Sequence, residues 1–425
     1  MTSIWRRLRA VVLESDDWGL CAWSPDEEAH RLLADTPAFR SRAGLAYGRS
    51  TLESAGDVRR LAETLLEFRG DDGLPPVWQA NTVVAAPDYA RLVSPHYHAV
   101  VLPVVPLPGT PPRWRREGMW EEVLRVCREG LWWPELHGLH HVPERAWLAA
   151  LRRGDADARR AFALETPVCA AVEQSGEFGP AEPDEVRWEA LRRAIAIFIA
   201  LFGRGPTSFC PPDYRWDDRL EDEAERLGLT LWQGRSERAR RSWVTARRLL
   251  RRWTWRAGRG VRYYMPPRIV FEPRGGHGPA GSLARAVATA HRRVREAWSQ
   301  GRPAVVSTHR LNYAHLDAAW SERGRAALRD LLGRLAADGA VFLVDLEVRQ
   351  LHERGWSMRP HGPRTTLVRY HGEPRHPIRI PAPMGARGVR LRADRGAEGA
   401  SVAQEGAAAI AQLPRGDYLL EWGGG

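Results

Sequence analysis

The stretch VVLESDDWG, residues 11–19, joins a run of apolar residues to the polar residues Ser15, Asp16 and Asp17. A short apolar run of this kind predicts a strand that is buried on both faces, as in a parallel sheet. The two adjacent carboxylates then stand at the carboxyl end of a core strand, where α/β barrels place their functional groups. The alternative interpretation is an N-capping pair at the start of a helix.

Further apolar runs alternate with amphipathic helices up to about residue 350. Helices are predicted over 51–69, from Pro143 to 163, over 184–202, from Ser282 to Trp298 and from Ser321 to Ala337. Strands are predicted in the segments PPVWQANTVVAAPD (75–88), HAVVLPVVP (98–106), WPELHGLHHV (133–142), PTSFCPPDY (206–214), IVFEP (269–273), AVVSTHR (304–310) and VFLVDLE (341–347). The alternation indicates a parallel α/β protein. The absence of a G-x-G-x-x-G motif favours a (β/α) barrel over an open sheet.

From about Ser357 the sequence changes to short alternating runs separated by glycine and proline, such as TTLVRY, IRIPAP, GVRLRA and DYLLEW. Such runs are typical of a small all-β module. We therefore predict a barrel domain over residues 1–355, with an Arg/Trp-rich insert at about 235–262, and a β-rich module over residues 356–425.

The chain has 425 residues and a net charge of +11, and all 63 of its basic residues are arginine. Without lysine it cannot carry a P-loop lysine, a Schiff-base lysine or a pyridoxal lysine. The arginine excess extends along the whole sequence, so it indicates a compositional bias and predicts no specific nucleic-acid partner.

Four cysteines, Cys21, Cys127, Cys169 and Cys210, stand far apart and form no C-x-x-C pair. This pattern predicts reduced core thiols rather than a structural zinc site. The first residues contain arginines but no apolar core of a signal peptide, and no apolar run reaches the length of a membrane span. We therefore expect a cytoplasmic protein.

Reactive side chains collect where the predicted strands end. They are Asp16 and Asp17, Gln79 and Asn81, His137 and His141, Asp213 and Tyr214, and His309 and Arg310. Because all strands of a parallel barrel open on one face, residues far apart in sequence can converge there. The pattern predicts a single site.

His137 and His141 stand four residues apart in the segment ELHGLHHV. Two imidazoles at this spacing can share one metal ion if the local turn is helical, and a carboxylate from another strand completes the ligand set. A polar surface turn is the alternative interpretation of these histidines.

The motifs SDDWG, ELHGLHHV, SFCPPDYRWD and STHRLNY, together with TLESAGDVRRL and ANTVVAAPD, resemble a bacterial branch of the polysaccharide deacetylases. These are metal-dependent carbohydrate esterases with a distorted parallel (β/α) barrel, and the resemblance spans about residues 10–350. It implies that Asp17, His137 and His141 bind a divalent metal ion, with zinc expected first and cobalt, nickel or iron as alternatives.

The resemblance also implies that Asp16 is the general base, that His309 is the general acid, and that the main-chain N–H of Tyr214 binds the oxyanion. A metal ion polarises an acyl oxygen and lowers the pKa of a water molecule, while a neighbouring carboxylate takes up the proton. The expected activity is hydrolysis of the amide bond of an N-acylated amino sugar or polysaccharide.

Three positions depart from the family pattern: Gly138 follows the first histidine in place of Ser or Thr, Ser307 replaces the leucine of the acetyl pocket, and Asp213 separates proline from Tyr214. The acyl group cut by this protein is therefore left open. Substrate-binding roles are predicted for residues beside the strand ends, namely Trp18, Asn81, Asp213, Arg268, Glu272 and Arg310.

Two other functions remain open at this point. A glycoside hydrolase would use two carboxyl groups from Asp16, Asp17, Asp213 and Glu272, and a saccharide-binding or biosynthetic accessory protein would keep the barrel without turnover. The insert at 235–262 could contact a membrane surface or a lipid-linked saccharide, although a solvated helix explains its arginines as well.

Overall fold

The structure is a computed structural model that describes residues 2–92, 97, 101–172, 176–179, 181–234, 261–273, 283–372, 377–392 and 399–424. The strands are β1 (Ala10–Trp18), β2 (Trp78–Val83), β3 (Ala85–Pro87), β4 (Val104–Pro106), β5 (Trp132–Gly138), β6 (Leu231–Trp232), β7 (Tyr263–Tyr264), β8 (Arg268–Val270), β9 (Ala304–His309), β10 (Val341–Leu343), β11 (Trp356–Gly362), β12 (Thr365–Tyr370), β13 (Ile378–Pro381), β14 (Ala386–Arg392), β15 (Ser401–Glu405), β16 (Ala408–Gln412) and β17 (Gly416–Gly424).

The helices are α1 (Thr2–Arg7), α2 (Glu27–Leu33), α3 (Pro37–Arg40), α4 (Arg42–Tyr47), α5 (Ala55–Leu66), α6 (Met119–Arg128), α7 (Glu144–Arg152), α8 (Ala156–Ala163), α9 (Asp184–Phe202), α10 (Asp218–Arg226), α11 (Leu283–Ser299), α12 (Ala318–Ala337) and α13 (Asp345–Arg354). Short 3₁₀ turns cover Pro112–Trp114, Pro212–Tyr214 and Arg310–Asn312.

A parallel sheet forms the centre of the protein, with strand order β5-β2-β1-β9-β8 and with β10 paired to the first residues of β1. The pairing of β1 with β9 places Asp16 directly opposite His309. The prediction of a parallel α/β fold is confirmed, and two of the predicted site residues are neighbours because of this register.

The sheet continues past β5 through single bridges from Leu136 to Phe209 and from Phe209 to Trp232 of β6, which pairs with β7. Among the residues that the structure describes, no strand pairing joins β7 to β8. The sheet therefore continues in the order of a parallel barrel, and the described strands do not close it.

Apolar side chains of α5, α6, α11 and α12 pack against the outer face of the central sheet. Val11 and Leu13 of β1 belong to this core, together with Leu61 of α5 and Leu331 of α12. Helix α5 begins at a capping box, in which Ser54 accepts from the Asp57 N–H and Asp57 accepts from the Ser54 N–H. This cap explains why the helix predicted over 51–69 starts only at Ala55.

Some predicted elements differ in the structure. Of the segment predicted as a strand over 98–106, the structure describes 101–106, and these residues contribute β4, which pairs antiparallel with β3 outside the central sheet. The segment predicted as a strand over 206–214 contributes single bridges at Phe209 and then a 3₁₀ turn. The helix predicted from Pro143 to 163 is divided into α7 and α8, because Gly154 between them takes a left-handed φ of 77° that ends α7.

Antiparallel sheets follow α13, in the orders β11-β12-β17-β14 and β13-β16-β15. Their shared core includes Val368, Ile380, Tyr418 and Leu420. The β-rich character predicted after Ser357 is thus present, while the division into two domains stays a prediction. The fully buried Arg369 of β12 ties this region to the rest through bonds to Glu347 at 3.0 Å and Asp72 at 2.7 Å.

Among the residues described, none of the helices combines the length and the apolar character that a bilayer span requires. The Arg/Trp-rich insert predicted at 235–262 lies outside the described residues, apart from Val261 and Arg262 at its end. Its predicted membrane or lipid-linked saccharide contact stays a prediction.

Candidate functional site

The two aspartates at the end of β1 differ in backbone conformation. In a regular strand they would point to opposite faces of the sheet. The pairing of β1 with β2 shifts register between Ser15 and Trp18, and Asp17 takes a left-handed φ of 74°. As a result, both carboxylates interact with the rings of His137 and His309.

Asp17, His137 and His141 form one cluster. Asp17 Oδ1 lies 3.3 Å from His137 Nε2 and 3.9 Å from His141 Nε2, and one ligand atom from each residue lies within 4.8 Å of the others. The histidines do not lie on a helical turn, because Gly138 has a φ of 128° and His141 a φ of 62°. The predicted juxtaposition exists, but a non-helical loop creates it.

The donor set of this cluster fits a divalent transition metal. One carboxylate and two imidazoles match the open ligand sets of catalytic zinc and iron sites. His137 Nδ1 contacts the main-chain oxygen of Cys210 at 2.7 Å, which fixes the ring with Nε2 towards Asp17. An outer partner of this kind orients a metal-binding histidine.

A second group, Asp16, His137 and Cys210, also has ligand atoms within 4.8 Å of one another. It fits a metal less well, because the Asp16 carboxylate already accepts hydrogen bonds from Arg268, Asn81 and Tyr214. The cluster of Asp17, His137 and His141 is therefore the better candidate centre.

Glu177 holds the loop that carries His141, and sequence reasoning missed it. Its fully buried carboxylate accepts from the main-chain N–H groups of Leu139 at 2.5 Å and His140 at 3.3 Å. A Cβ atom at Gly138 would stand 2.6 Å from Glu177 Oε1. Gly138 therefore leaves the space that the Glu177 carboxylate fills.

We expect Glu177→Ala to weaken metal binding by roughly 10–100-fold, the range typical for loss of an outer partner of a metal ligand. Glu177→Gln keeps one acceptor oxygen for the loop and should retain most of the affinity. Calorimetric titration with Zn²⁺ or Co²⁺ measures both variants. Equal affinity in wild type and Glu177→Ala would contradict a positioning role.

Asp16 is 1% exposed and lies in a dense set of hydrogen bonds. Its carboxylate accepts from Arg268 at 2.6 Å, from Asn81 at 2.6 Å and from the Tyr214 hydroxyl at 3.0 Å. Burial raises the pKa of Asp16, but the charges of Arg268, His137 and His309 outweigh burial and hold this pKa far below its usual value. Asp16 is thus a fixed, ionised carboxylate.

Arg268 of β8 lies between two buried carboxyl groups, because its Nε also faces Glu14. Burial raises the pKa of Glu14 well above its usual value, against the opposing charge of Arg268. Burial thus acts against a charge on Glu14, and Arg268 donates hydrogen bonds from both of its terminal nitrogens to Asp16. Arg268, for which a substrate-binding role is predicted, orients Asp16 through these contacts.

His309 lies on the other side of Asp16, with 3.9 Å between His309 Nε2 and Asp16 Oδ2. Its Nδ1 lies 2.5 Å from Glu272 Oε1, and Asn312 donates to the other Glu272 oxygen. Burial lowers the pKa of His309, but Glu272, Asp17 and Asp16 outweigh burial and raise this pKa to about 9. At neutral pH the ring is an imidazolium that can donate a proton.

The Glu272 contact predicts a change in pH dependence. The carboxylate stabilises the charged imidazole, so Glu272→Gln should lower the pKa of His309. Activity that needs the imidazolium is lost as the pH rises through this pKa, so the alkaline limb of kcat/KM should move to lower pH in the variant. Profiles over pH 5–10 measure it, and an unmoved alkaline limb would contradict the assignment.

Three predicted substrate-binding residues are buried in structural roles. Trp18 is 1% exposed and packs edge-on against Trp132 at 4.6 Å, so that prediction is wrong. Asn81 is fully buried between Asp16 and Gln233, where it positions the carboxylate. Arg310 is 1% exposed and bonds Glu53 at 3.1 Å and the Leu20 carbonyl at 2.8 Å.

The prediction for Tyr214 needs correction. Its main-chain N–H donates to the Pro211 carbonyl at 3.0 Å and is not available to an oxyanion in this structure. Its hydroxyl instead donates to Asp16 and accepts from Arg268 at 2.7 Å.

Asp213, for which a substrate-binding role is predicted, has a φ of 51° and lies near His141 and Asp17. Burial raises the pKa of its carboxyl group.

Sequence reasoning also missed an aromatic pair beside His309. The ring of Tyr47 lies edge-on to His309 with 6.2 Å between centroids, and Trp23 stacks on Tyr47 at 5.9 Å. Trp23 has a φ of 69°, which is strained for a bulky residue. Both residues stand away from the predicted strand ends, so the sequence carries no signal for them.

No protein-family model and no curated protein sequence matches the chain. Among solved structures, it is similar to a Mycobacterium smegmatis protein assigned to the polysaccharide deacetylases, with 14% identity, a TM-score of 0.42 and coverage of 81% of this chain and 91% of the other.

A CE4 family pseudoenzyme from Bacillus anthracis has 9% identity and a TM-score of 0.32, over 79% of this chain and 64% of the other. The alpha-fucosidase of Thermotoga maritima has 11% identity and a TM-score of 0.31, over 98% and 96%.

Proposed function

We propose that this protein is a metal-dependent hydrolase that removes the acyl group of an N-acylated amino sugar or polysaccharide. The single observation that carries the proposal is the cluster of Asp17, His137 and His141 beside two further groups of opposite proton affinity, Asp16 and His309. The proposed metal-binding and catalytic residues are those that the resemblance to polysaccharide deacetylases implies, without the oxyanion role of the Tyr214 main-chain N–H.

Asp17, His137 and His141 would hold the metal ion, which when bound supplies Lewis-acid polarisation of the substrate's acyl oxygen. Asp16 stays ionised because Arg268, Asn81 and Tyr214 stabilise its charge. In this state it can accept a proton from the attacking water and cannot act as an acid. These contacts also fix the orientation of the Asp16 carboxylate.

His309 has the complementary role. The imidazolium, stabilised by Glu272, donates its Nε2 proton to the departing amine nitrogen as the amide C–N bond breaks. Water adds across the amide, so the products are a carboxylic acid and a free amine. The opposed proton affinities of Asp16 and His309 provide the base and the acid that this reaction requires.

A glycoside hydrolase needs one carboxyl group that is protonated at working pH. The charges around Asp16 and Asp17 hold the pKa of each well below its usual value, despite the opposing effect of burial, and Glu272 is engaged with His309. Burial raises the pKa of Asp213, so this residue is the candidate acid for glycosidic cleavage. That reaction would leave the two histidines of the metal-type cluster and His309 without a role, so the geometry supports amide hydrolysis better.

The test uses the full chain loaded with Zn²⁺ or Co²⁺ and a set of N-acylated amino sugars and their oligomers. The proposal expects equimolar acid and free amine, lost on chelation and restored by metal. Release of reducing ends without amine would favour a glycoside hydrolase. Saccharide binding without either product would favour an accessory protein.

A further inference from the structure

A cavity of about 350 Å³ opens beside the candidate active site. It reaches from His309 and Ser307 along β8 to Arg293 in the second half of α11 and to Arg302. It follows the edge of β8 that, among the described residues, has no paired strand. Its volume lies at the lower end of the range for small-molecule sites, which is too small for a polysaccharide chain.

Ser307 presents a polar group to this cavity. The residue is 4% exposed and lines the cavity directly opposite Val270 in the β8–β9 pairing. Within the described part of the chain, its side-chain hydroxyl has no hydrogen-bond partner. The hydroxyl can donate to or accept from a polar atom of a ligand in the cavity, so this position suits such a ligand better than a purely apolar one.

The far end of the cavity carries positive charge. Arg293 and Arg302 line it together with one acidic residue, Glu296. Glu296 lies 3.6 Å from Arg292, which is on the same helix but is not among the residues that line the cavity. A ligand that reaches this end therefore meets more positive than negative charge and gains most from a carboxylate.

We propose that this cavity binds the acyl group of the substrate, and that this acyl group is longer than acetyl and ends in a carboxylate, as in an N-succinyl amino sugar. The inference rests on the proposed function, since it assigns the acyl side of the amide to the cavity at His309. The amino sugar itself then remains outside, where a polymer has room.

The test compares equilibrium binding and turnover of N-succinylglucosamine and N-acetylglucosamine by the full chain. Wild type should bind the succinyl compound at least roughly ten-fold more tightly, because a charge-assisted hydrogen bond is worth that much or more. Arg293→Gln should remove this preference, whereas Arg295→Gln, on the same helix but paired with Asp338 outside the cavity, should leave it unchanged.

Ser307 provides a second pair of variants. Ser307→Leu adds bulk to the cavity and should weaken succinyl binding with little change for acetyl, while Ser307→Ala keeps the space and should lose only the hydroxyl's contribution. Thermal unfolding confirms that each variant is folded, and the arginine pair provides the test if Ser307→Leu is not.

The outcomes separate the two proposals. A succinyl preference that depends on Arg293 supports the acyl cavity, whether or not either compound is hydrolysed. If neither compound is hydrolysed, the proposed hydrolase function is wrong. Equal binding of the two compounds, or an unchanged preference in Arg293→Gln, overturns the acyl cavity. In that case, hydrolysis of either compound would still support the proposed function.

Discussion

Replacing Asp17 with alanine should abolish metal-dependent acyl release, with a loss greater than the roughly 10–100-fold expected for an outer partner of a metal ligand. Asp17 is the carboxylate that both His137 and His141 face, at 3.3 and 3.9 Å. Without Asp17 the candidate metal site keeps only its two imidazole ligands, and the carboxylate that both of them face is lost. Metal content after dialysis and the rate of amine release measure the effect.

The loop between β5 and α7 supplies a matched pair of controls. His141→Ala should lose the metal as Asp17→Ala does. His140→Ala should retain it, because the His140 ring bonds Glu144 at 3.0 Å and the Val142 N–H at 3.1 Å and is not part of the cluster. Stoichiometric metal in folded Asp17→Ala would contradict the assignment.

Replacing Arg268 with methionine should produce the largest loss of stability, about 3–5 kcal/mol, because it leaves a buried charge without its partner. Arg268 bonds Asp16 at 2.6 Å, and Asp16 is 1% exposed. Arg125→Met is the control: the Arg125 side chain is 39% exposed and pairs at the surface, so its loss should cost less than about 1 kcal/mol.

The Arg268 variant should also change the pH dependence of stability. In wild type the pKa of Asp16 is lower in the folded state, so its contribution is present above the unfolded value near 3.8 and is lost as the pH falls below it. Without Arg268, burial raises the folded pKa, and protonation relieves the unpaired charge. Urea unfolding at pH 7 and pH 5 should therefore show a smaller deficit at pH 5, and equal deficits would contradict this explanation.

The sequence predicted the positions of site residues correctly where the parallel sheet alone determines them. Alternating apolar runs and helices indicated which segments form the central strands, and a parallel sheet brings their carboxyl ends together. This is why Asp16 and His309, nearly 300 residues apart, could be predicted as neighbours before their direct pairing was observed. The same logic placed His137 beside Asp17.

The sequence was uninformative where a single residue changes the direction of a side chain. The register shift after Ser15 and the left-handed Asp17 turn Trp18 into the core, and strand alternation contains no sign of either. Glu177 reaches the His137–His141 loop from a segment with no periodic pattern. Arg310 directly follows His309, yet the 3₁₀ turn that begins there directs it to Glu53 and Leu20.

The most direct test of the central claim is anomalous diffraction from crystals of the full chain grown with Zn²⁺ or Co²⁺. We predict one strong anomalous peak per chain, bonded to Asp17, His137 and His141, with Asp16 and His309 beside the open positions. A peak at Asp16, His137 and Cys210 instead, or no peak near Asp17 at saturating metal, would contradict the account.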